Sequence, residues 1–142
     1  MRTRELPTAD DLSGFERGKW CNGMGPKAGP GLVSRLWCAF LRLLIKVTGL
    51  AALFDSCGDT HDLHYLLGGD EDDWLYYDLV FLGNMLAIKK KAPWPLHPVI
   101  NFMSFAAFKG VRTGGGFGPF QWRDKALTLE ELRAAVRRGE IE

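Results

Sequence analysis

The chain has 142 residues, a length that predicts a single domain over residues 1–142. Hydrophobic residues make up 46% of it and charged residues 25%, a composition that excludes a chain disordered throughout. Its 18 basic and 17 acidic residues nearly balance, which argues against the strongly basic surface of a general nucleic-acid-binding protein. We therefore expect one folded domain and no nucleic-acid partner.

Residues 1–31 precede the first helical pattern. Residues 1–19 are polar, and we expect them to form a loosely packed arm. They contain no apolar segment of the kind that marks a secretory signal peptide, so we expect folding in the cytoplasm, with delivery by a phage particle or a dedicated export system left open. Residues 21–31 are rich in glycine and proline, which predicts a loop whose backbone can approach a ligand closely.

Apolar residues recur at spacings of three and four along most of the remaining chain, which is typical of α-helices. Helices are predicted over residues 32–47, 55–67, 74–90, 99–112 and 129–138. The candidate N-caps of the second helix are Asp55, Ser56 and Asp59. Gly68 and Gly69 are expected to end it, and the acidic run 70–73 to open the third helix. Thr128 and Glu131 predict a capping box for the last helix. The predicted fold class is mainly α.

Asp78 breaks the pattern of the third helix, because it lies among aromatic and aliphatic residues. A charged carboxylate is costly to bury there unless a partner compensates it, and His61 on the preceding helix would be such a partner. A carboxylate fixes the tautomer of an imidazole and raises the basicity of its other nitrogen, as a general base requires. The alternative is that Asp78 lies on a solvent-facing stripe of its helix.

The order of these motifs resembles the phospholipase A2 superfamily. That family combines a calcium loop of the form C-G-x-G with a helix carrying H-D-x-x-Y, and a later helix supplies an Asp to the His. Here Asn22-Gly23-Met24-Gly25 corresponds to the loop with its Cys replaced. The helix signature corresponds to His61-Asp62-Leu63-His64-Tyr65, and the later carboxylate to Asp78. The resemblance covers residues 20–86 and implies a compact helical domain with two antiparallel catalytic helices and a glycine-rich calcium-binding loop.

The resemblance also implies a role for each matching residue. His61 is the expected general base, Asp78 orients its ring, and Tyr65 hydrogen-bonds Asp78. The backbone N–H of Gly23 is the expected donor to the oxyanion. The implied ligands of Ca²⁺ are the Asp62 carboxylate and the backbone carbonyls of Cys21, Gly23 and Gly25.

The chain departs from the secreted members of that family in two ways. Positions that those enzymes join by disulfides are occupied here by Asn22 with Gly58 and by His64 with Tyr77. Both members of each pair are replaced together, as expected of a relative that folds without disulfides. The separation between the loop and the catalytic helix is also longer, because residues 32–54 form an inserted amphipathic helical segment.

The helix in this insert is a candidate membrane contact. Arg35, Arg42 and Lys46 share one narrow stripe at about 100° per residue. Beside it lies an apolar face with Trp37, Phe40 and Leu44. A surface that combines apolar and cationic residues suits a phospholipid membrane, and we expect peripheral membrane contact there. The alternative is that the helix packs into the core and exposes only the three cations.

Together these patterns predict a calcium-dependent phospholipase A2-like hydrolase, which cleaves the sn-2 ester of membrane phospholipids with water activated by His61. Two alternatives stay open. One is a non-catalytic phage or bacterial structural or membrane-binding protein of the same fold. The other is a small α-helical domain whose motifs match by chance. A paired His and Asp beside a cation loop favours the enzyme, because a structural protein has no need of them.

Overall fold

A computed structural model of the chain describes residues 6–8, 11, 15, 32–114 and 120–141. In seven of these residues only the backbone is described: Val33, Ser34, Arg35, Trp37, Cys38, Leu41 and Gly114. Over the described ranges the chain is mainly helical and forms no strand, which confirms the predicted fold class. A single isolated bridge joins Gly69 to Trp122 in this part of the chain. The expected calcium loop, within residues 21–31, lies outside the described residues.

The described part of the chain contains five α-helices and two short 3₁₀ turns. The α-helices are α1 (Leu32–Val47), α2 (Ala51–Leu67), α3 (Glu71–Ala87), α4 (His97–Gly114) and α5 (Leu129–Arg137). The 3₁₀ turns, Ile88–Lys90 and Trp94–Leu96, lie between α3 and α4. Each helix predicted from the periodicity is present. None of the helices in the described ranges is long and apolar enough to cross a membrane.

The predicted start of α2 is wrong. The three expected N-caps, Asp55, Ser56 and Asp59, all lie inside the helix. α2 begins earlier because Gly49, at φ 71°, turns the chain sharply after α1, and Leu50 and Phe54 are then buried in the core. The last residues of the expected 32–54 insert are therefore the first turn of α2.

Local capping explains where α3 and α5 begin, as expected. The side chain of Asp70 accepts hydrogen bonds from the backbone N–H groups of Asp72 and Asp73, and the side chain of Asp73 accepts one from the backbone N–H of Asp70. Thr128 and Glu131 form the same reciprocal arrangement at α5. These capping boxes satisfy backbone N–H groups that have no partner within the helix.

The structure describes five residues of the expected loosely packed arm, residues 6–8, 11 and 15. Pro7 and Phe15 are buried, and Leu6 packs against the core. The guanidinium of Arg133 on α5 donates a hydrogen bond of 3.0 Å to the backbone carbonyl of Asp11. Leu6, Pro7 and Phe15 therefore lie against the helical core.

Among the described residues, two clusters of buried apolar side chains form the core. The first comprises Phe15, Leu63, Tyr65, Leu67, Tyr77, Phe120, Leu132, Ala135 and Ile141. The second comprises Ile45, Leu50, Phe54, Phe81, Met85, Ile88, Ile100 and Met103. α2 and α3 contribute to both clusters, and Asp78 lies between Tyr77 of the first cluster and Phe81 of the second. Both clusters therefore support the stretch of α3 that carries Asp78.

The connection between α2 and α3 provides a test of backbone constraint. Gly68 ends α2 at φ 65°, and a Cβ atom there would overlap the backbone carbonyl oxygen of Gln121. We expect Gly68→Ala to lower the free energy of unfolding by about 1–3 kcal/mol because of this strain. The matched change Gly83→Ala, inside α3 with open space around it, should raise that free energy by about 0.5–1 kcal/mol. Urea unfolding followed by circular dichroism measures both, and equal effects of the two variants would contradict the structure.

Candidate active site

A histidine and an aspartate from neighbouring helices form the centre of the candidate site. His61 on α2 is buried, and Asp78 on α3 has no exposed surface. Nε2 of His61 lies 2.9 Å from Oδ1 of Asp78. The pairing predicted from the charge inside an apolar helix is confirmed, and the alternative of a solvent-facing Asp78 is wrong.

Tyr65 supports the same carboxylate oxygen. It lies one helical turn after His61, and its hydroxyl donates a hydrogen bond of 2.7 Å to Oδ1 of Asp78. The hydroxyl also accepts a bond of 2.9 Å from the indole N–H of Trp74. Burial raises the pKa of Tyr65 well above its usual value. The hydrogen bond to Asp78 and the negative charge of that carboxylate raise the pKa further. Tyr65 therefore stays protonated and acts as a donor.

Aromatic packing fixes the orientation of the His61 ring. Phe81 stacks on it, with ring centroids 4.3 Å apart and planes inclined by 29°. Tyr65 contacts it with centroids 4.1 Å apart. With Nε2 bound to Asp78, Nδ1 is the nitrogen that can exchange a proton with another molecule. Chemically, the arrangement is a histidine held in one tautomer by a buried carboxylate.

Sequence reasoning missed two contributors to the site, Arg112 and Trp74. Arg112 reaches from α4 to donate a hydrogen bond of 3.1 Å from Nη1 to Oδ2 of Asp78. Its guanidinium carbon lies 3.9 Å from the centroid of the Trp74 ring. The available signal was a single arginine near the end of an apolar helix, which resembles ordinary charge at a helix C-terminus. Its carboxylate partner is 34 residues earlier in the chain, beyond the reach of any local pattern.

The expected metal ligands are only partly described. Asp62 follows His61 on α2 and is half-buried. The expected carbonyl ligands of Cys21, Gly23 and Gly25, and the Gly23 N–H, lie outside the described residues. Among the residues that the structure does describe, no group of three or more His, Cys, Asp or Glu side chains could hold a metal ion.

His64 belongs to the same helical motif, and its contacts serve to hold parts of the fold together. Its Nε2 lies 2.9 Å from the backbone carbonyl oxygen of Pro7, so the ring attaches the N-terminal arm to α2. Its ring also contacts that of Tyr77, with centroids 5.3 Å apart. Burial lowers the pKa of His64 to about 4, although the hydrogen bond to Pro7 opposes this effect. His64 is therefore neutral at pH 7.

In comparisons with known proteins, no family model matched the chain, no curated protein matched its sequence, and no solved structure matched its fold. The resemblance to the phospholipase A2 superfamily therefore stays a prediction. The contacts of His61, Asp78 and their neighbours are therefore the basis for assigning a function.

The lowered pKa of His64 predicts acid sensitivity. Between pH 6.5 and 4 the unfolded chain binds a proton at this histidine that the folded chain does not, so stability falls as the pH falls. From pH 7 to pH 5 we expect His64 to reduce the free energy of unfolding by about 2 kcal/mol. Urea unfolding at both pH values, in the presence of a chelator, tests this. His64→Gln cannot titrate and should lose this part of the pH dependence; identical pH profiles for the two proteins would refute it.

Proposed function

We propose that this protein is a calcium-dependent phospholipase A2-like hydrolase, which cleaves the sn-2 ester of membrane phospholipids with water activated by His61. The observation that carries the proposal is the buried pair of His61 and Asp78, with Tyr65 bonded to the same carboxylate. In this proposal α2 and α3 are the two antiparallel catalytic helices. The short connection at residues 68–70 supports that arrangement.

Proton transfer follows from the two nitrogens of His61. Nδ1 accepts a proton from water as the water oxygen attacks the ester carbonyl carbon. Asp78, bonded at Nε2, stabilises the imidazolium that forms, and Tyr65 keeps Asp78 in place. His61 then returns the proton to the leaving alcohol oxygen. No side chain forms a covalent intermediate, so the site needs no serine nucleophile.

The donor set proposed for Ca²⁺ fits the preference of that ion for oxygen ligands. Asp62 would provide a carboxylate immediately beside His61, and the backbone carbonyls of Cys21, Gly23 and Gly25 would provide the rest. When bound, Ca²⁺ polarises the ester carbonyl and stabilises the oxyanion. The Gly23 N–H would donate a second hydrogen bond to that oxyanion.

A contact outside the site also supports the proposal. By motif alignment, His64 and Tyr77 occupy positions that the secreted enzymes join by a disulfide. Here the two rings pack against each other, with centroids 5.3 Å apart. A ring contact in place of a covalent bond is consistent with a disulfide-free relative, because it still links the two helices at that level.

A fatty-acid release assay tests the proposal. With mixed phospholipid vesicles and excess Ca²⁺, we expect release by the native protein and none with a chelator. His61→Ala should reduce kcat by about 10²–10⁴-fold, because it removes the general base. His97→Gln is the matched control, since His97 bonds only to backbone carbonyls among the described residues and should leave the rate unchanged.

One observation favours a second candidate, a non-catalytic membrane-binding relative of the same fold. Arg112 occupies Oδ2 of Asp78, so both carboxylate oxygens already have partners within the protein. A network satisfied in this way also serves a purely structural role. If folded native protein releases no fatty acid from any of the vesicle mixtures, the hydrolase is rejected in favour of this candidate.

The proposed membrane contact is α1. Five large apolar side chains of this helix are between 50% and 75% exposed: Leu32, Leu36, Phe40, Leu43 and Val47. At about 100° per residue they share an arc of about 80°, which we call the α1 apolar face. Arg42 and Lys46 are exposed along one edge of this face. The alternative of a helix that exposes only its cations is therefore wrong. Leu44, also expected on this face, packs against the core instead. The side chains of Arg35 and Trp37, the other expected contacts, are not among the described ones.

The charge of α1 favours an anionic bilayer as the occupant of the α1 apolar face. α1 contains no acidic residue, so a second copy docked through its own α1 would bring like charges together and place no carboxylate of α1 opposite them. An anionic bilayer provides both an apolar interior for the leucines and phosphate groups for Arg42 and Lys46. The helix would lie in the plane of the interface.

Co-sedimentation with vesicles tests this contact separately from hydrolysis. In His61→Ala, which should still bind, adding Leu36→Ser or Phe40→Ser should weaken binding about 10-fold each, because each removes a side chain that would be buried in lipid. Arg42→Gln should weaken binding to anionic vesicles and reduce its salt dependence. Leu79→Ser is the matched control, because Leu79 on α3 is as exposed as Phe40 but lies on another helix. Equal effects at Leu79 and Phe40, or dimerisation through α1 in place of vesicle binding, would contradict the assignment.

A further inference from the structure

Arg112 belongs to a closed ring of contacts around Asp78. Its Nη1 donates to Oδ2 of Asp78 at 3.1 Å, and its guanidinium lies over the ring of Trp74 at 3.9 Å. Trp74 donates to the hydroxyl of Tyr65 at 2.9 Å, and Tyr65 donates to Oδ1 of Asp78 at 2.7 Å. The ring therefore connects three helices and returns to the carboxylate from which it starts.

The two oxygens of Asp78 have different partners. Oδ1 accepts from Tyr65 and contacts His61, whereas Oδ2 accepts from Arg112. A carboxylate held at one oxygen only can rotate about its Cβ–Cγ bond. Held at both oxygens from different helices, it keeps a single plane, and Oδ1 remains directed at Nε2 of His61.

We propose that Arg112 is a positioning residue, which holds the Asp78 carboxylate so that Oδ1 faces His61. Trp74 sets the plane of the guanidinium, and the guanidinium sets the plane of the carboxylate. The catalytic consequence of this role rests on the hydrolase proposed above. The geometric role does not, because it concerns only contacts inside the folded chain.

The chemistry of arginine suits this position better than that of lysine. A guanidinium is planar, so it can stack on an indole face and donate a hydrogen bond in its own plane at the same time. A lysine ammonium has the same charge without that plane. The Arg112 side chain is 28% exposed while Asp78 is fully buried, so part of the cation remains hydrated beside the site. The contribution of Arg112 to the site therefore depends on the orientation of its guanidinium as well as on its charge.

Proton NMR in water tests the geometric role without any substrate. The Nε2–H of His61, bonded to a buried carboxylate, should give a downfield resonance that is absent in His61→Ala. We expect this resonance to shift or broaden beyond detection in Arg112→Gln and in Arg112→Lys. Lys109→Gln, which removes an exposed cation one turn earlier on α4, should leave it unchanged. An unchanged resonance in Arg112→Lys would overturn the proposal, because charge alone would then be sufficient.

Kinetics on vesicles test the catalytic consequence. Arg112→Lys and Arg112→Gln should lower kcat about 100-fold with little change in KM, since a small misplacement of the base costs about this much. In Arg112→Ala, added methylguanidinium should restore part of the activity and methylammonium should not. Circular dichroism verifies folding, and Arg112→Lys decides the test if Arg112→Gln does not fold.

The two measurements separate the two proposals. If the native protein has no hydrolytic activity but the resonance shifts in the Arg112 variants, the hydrolase is rejected and the positioning role is supported. Native hydrolysis that is unaffected in both Arg112 variants, with an unchanged resonance, rejects the positioning role and leaves the hydrolase in place.

Discussion

The structure depends on the burial of one charge, the carboxylate of Asp78. A carboxylate that loses all contact with water is strongly destabilising unless hydrogen bonds and opposite charge compensate it. Three side chains from two other helices provide that compensation here: His61 and Tyr65 of α2 and Arg112 of α4. The requirement restrains how α2 and α4 lie on α3, because a displacement of either helix would remove at least one partner of the buried charge.

Packing then converts these hydrogen bonds into a rigid site. The His61 ring contacts the rings of Phe81 and Tyr65, which belong to different core clusters. Trp74 contacts both Arg112 and Tyr65, so it resists movement of either side chain. In the proposed hydrolase, His61 would need this kind of restraint, because a misplacement of about 1 Å is enough to slow a reaction about 100-fold.

Local physics explains which features could be predicted from the sequence. The cost of burying a charge identified Asp78 and its need for His61, and capping chemistry located the starts of α3 and α5. The start of α2 could not be predicted in this way, since it depends on the burial of Leu50 and Phe54 against distant helices rather than on a cap. Arg112 could not be identified from the sequence for the same reason, because tertiary packing determines its partner.

The α1 apolar face and the buried site around Asp78 lie in different parts of the chain and have different physical requirements. Among the described side chains of α1, Ile45 is the one that is fully in the core, whereas the apolar face points outward. Exposing a continuous apolar arc in water is unfavourable, and packing against α2 does not require it. A membrane would cover that arc without disturbing Asp78, because none of the described contacts of Asp78 comes from α1. The proposed membrane contact and the proposed chemistry at His61 can therefore be tested by separate mutations.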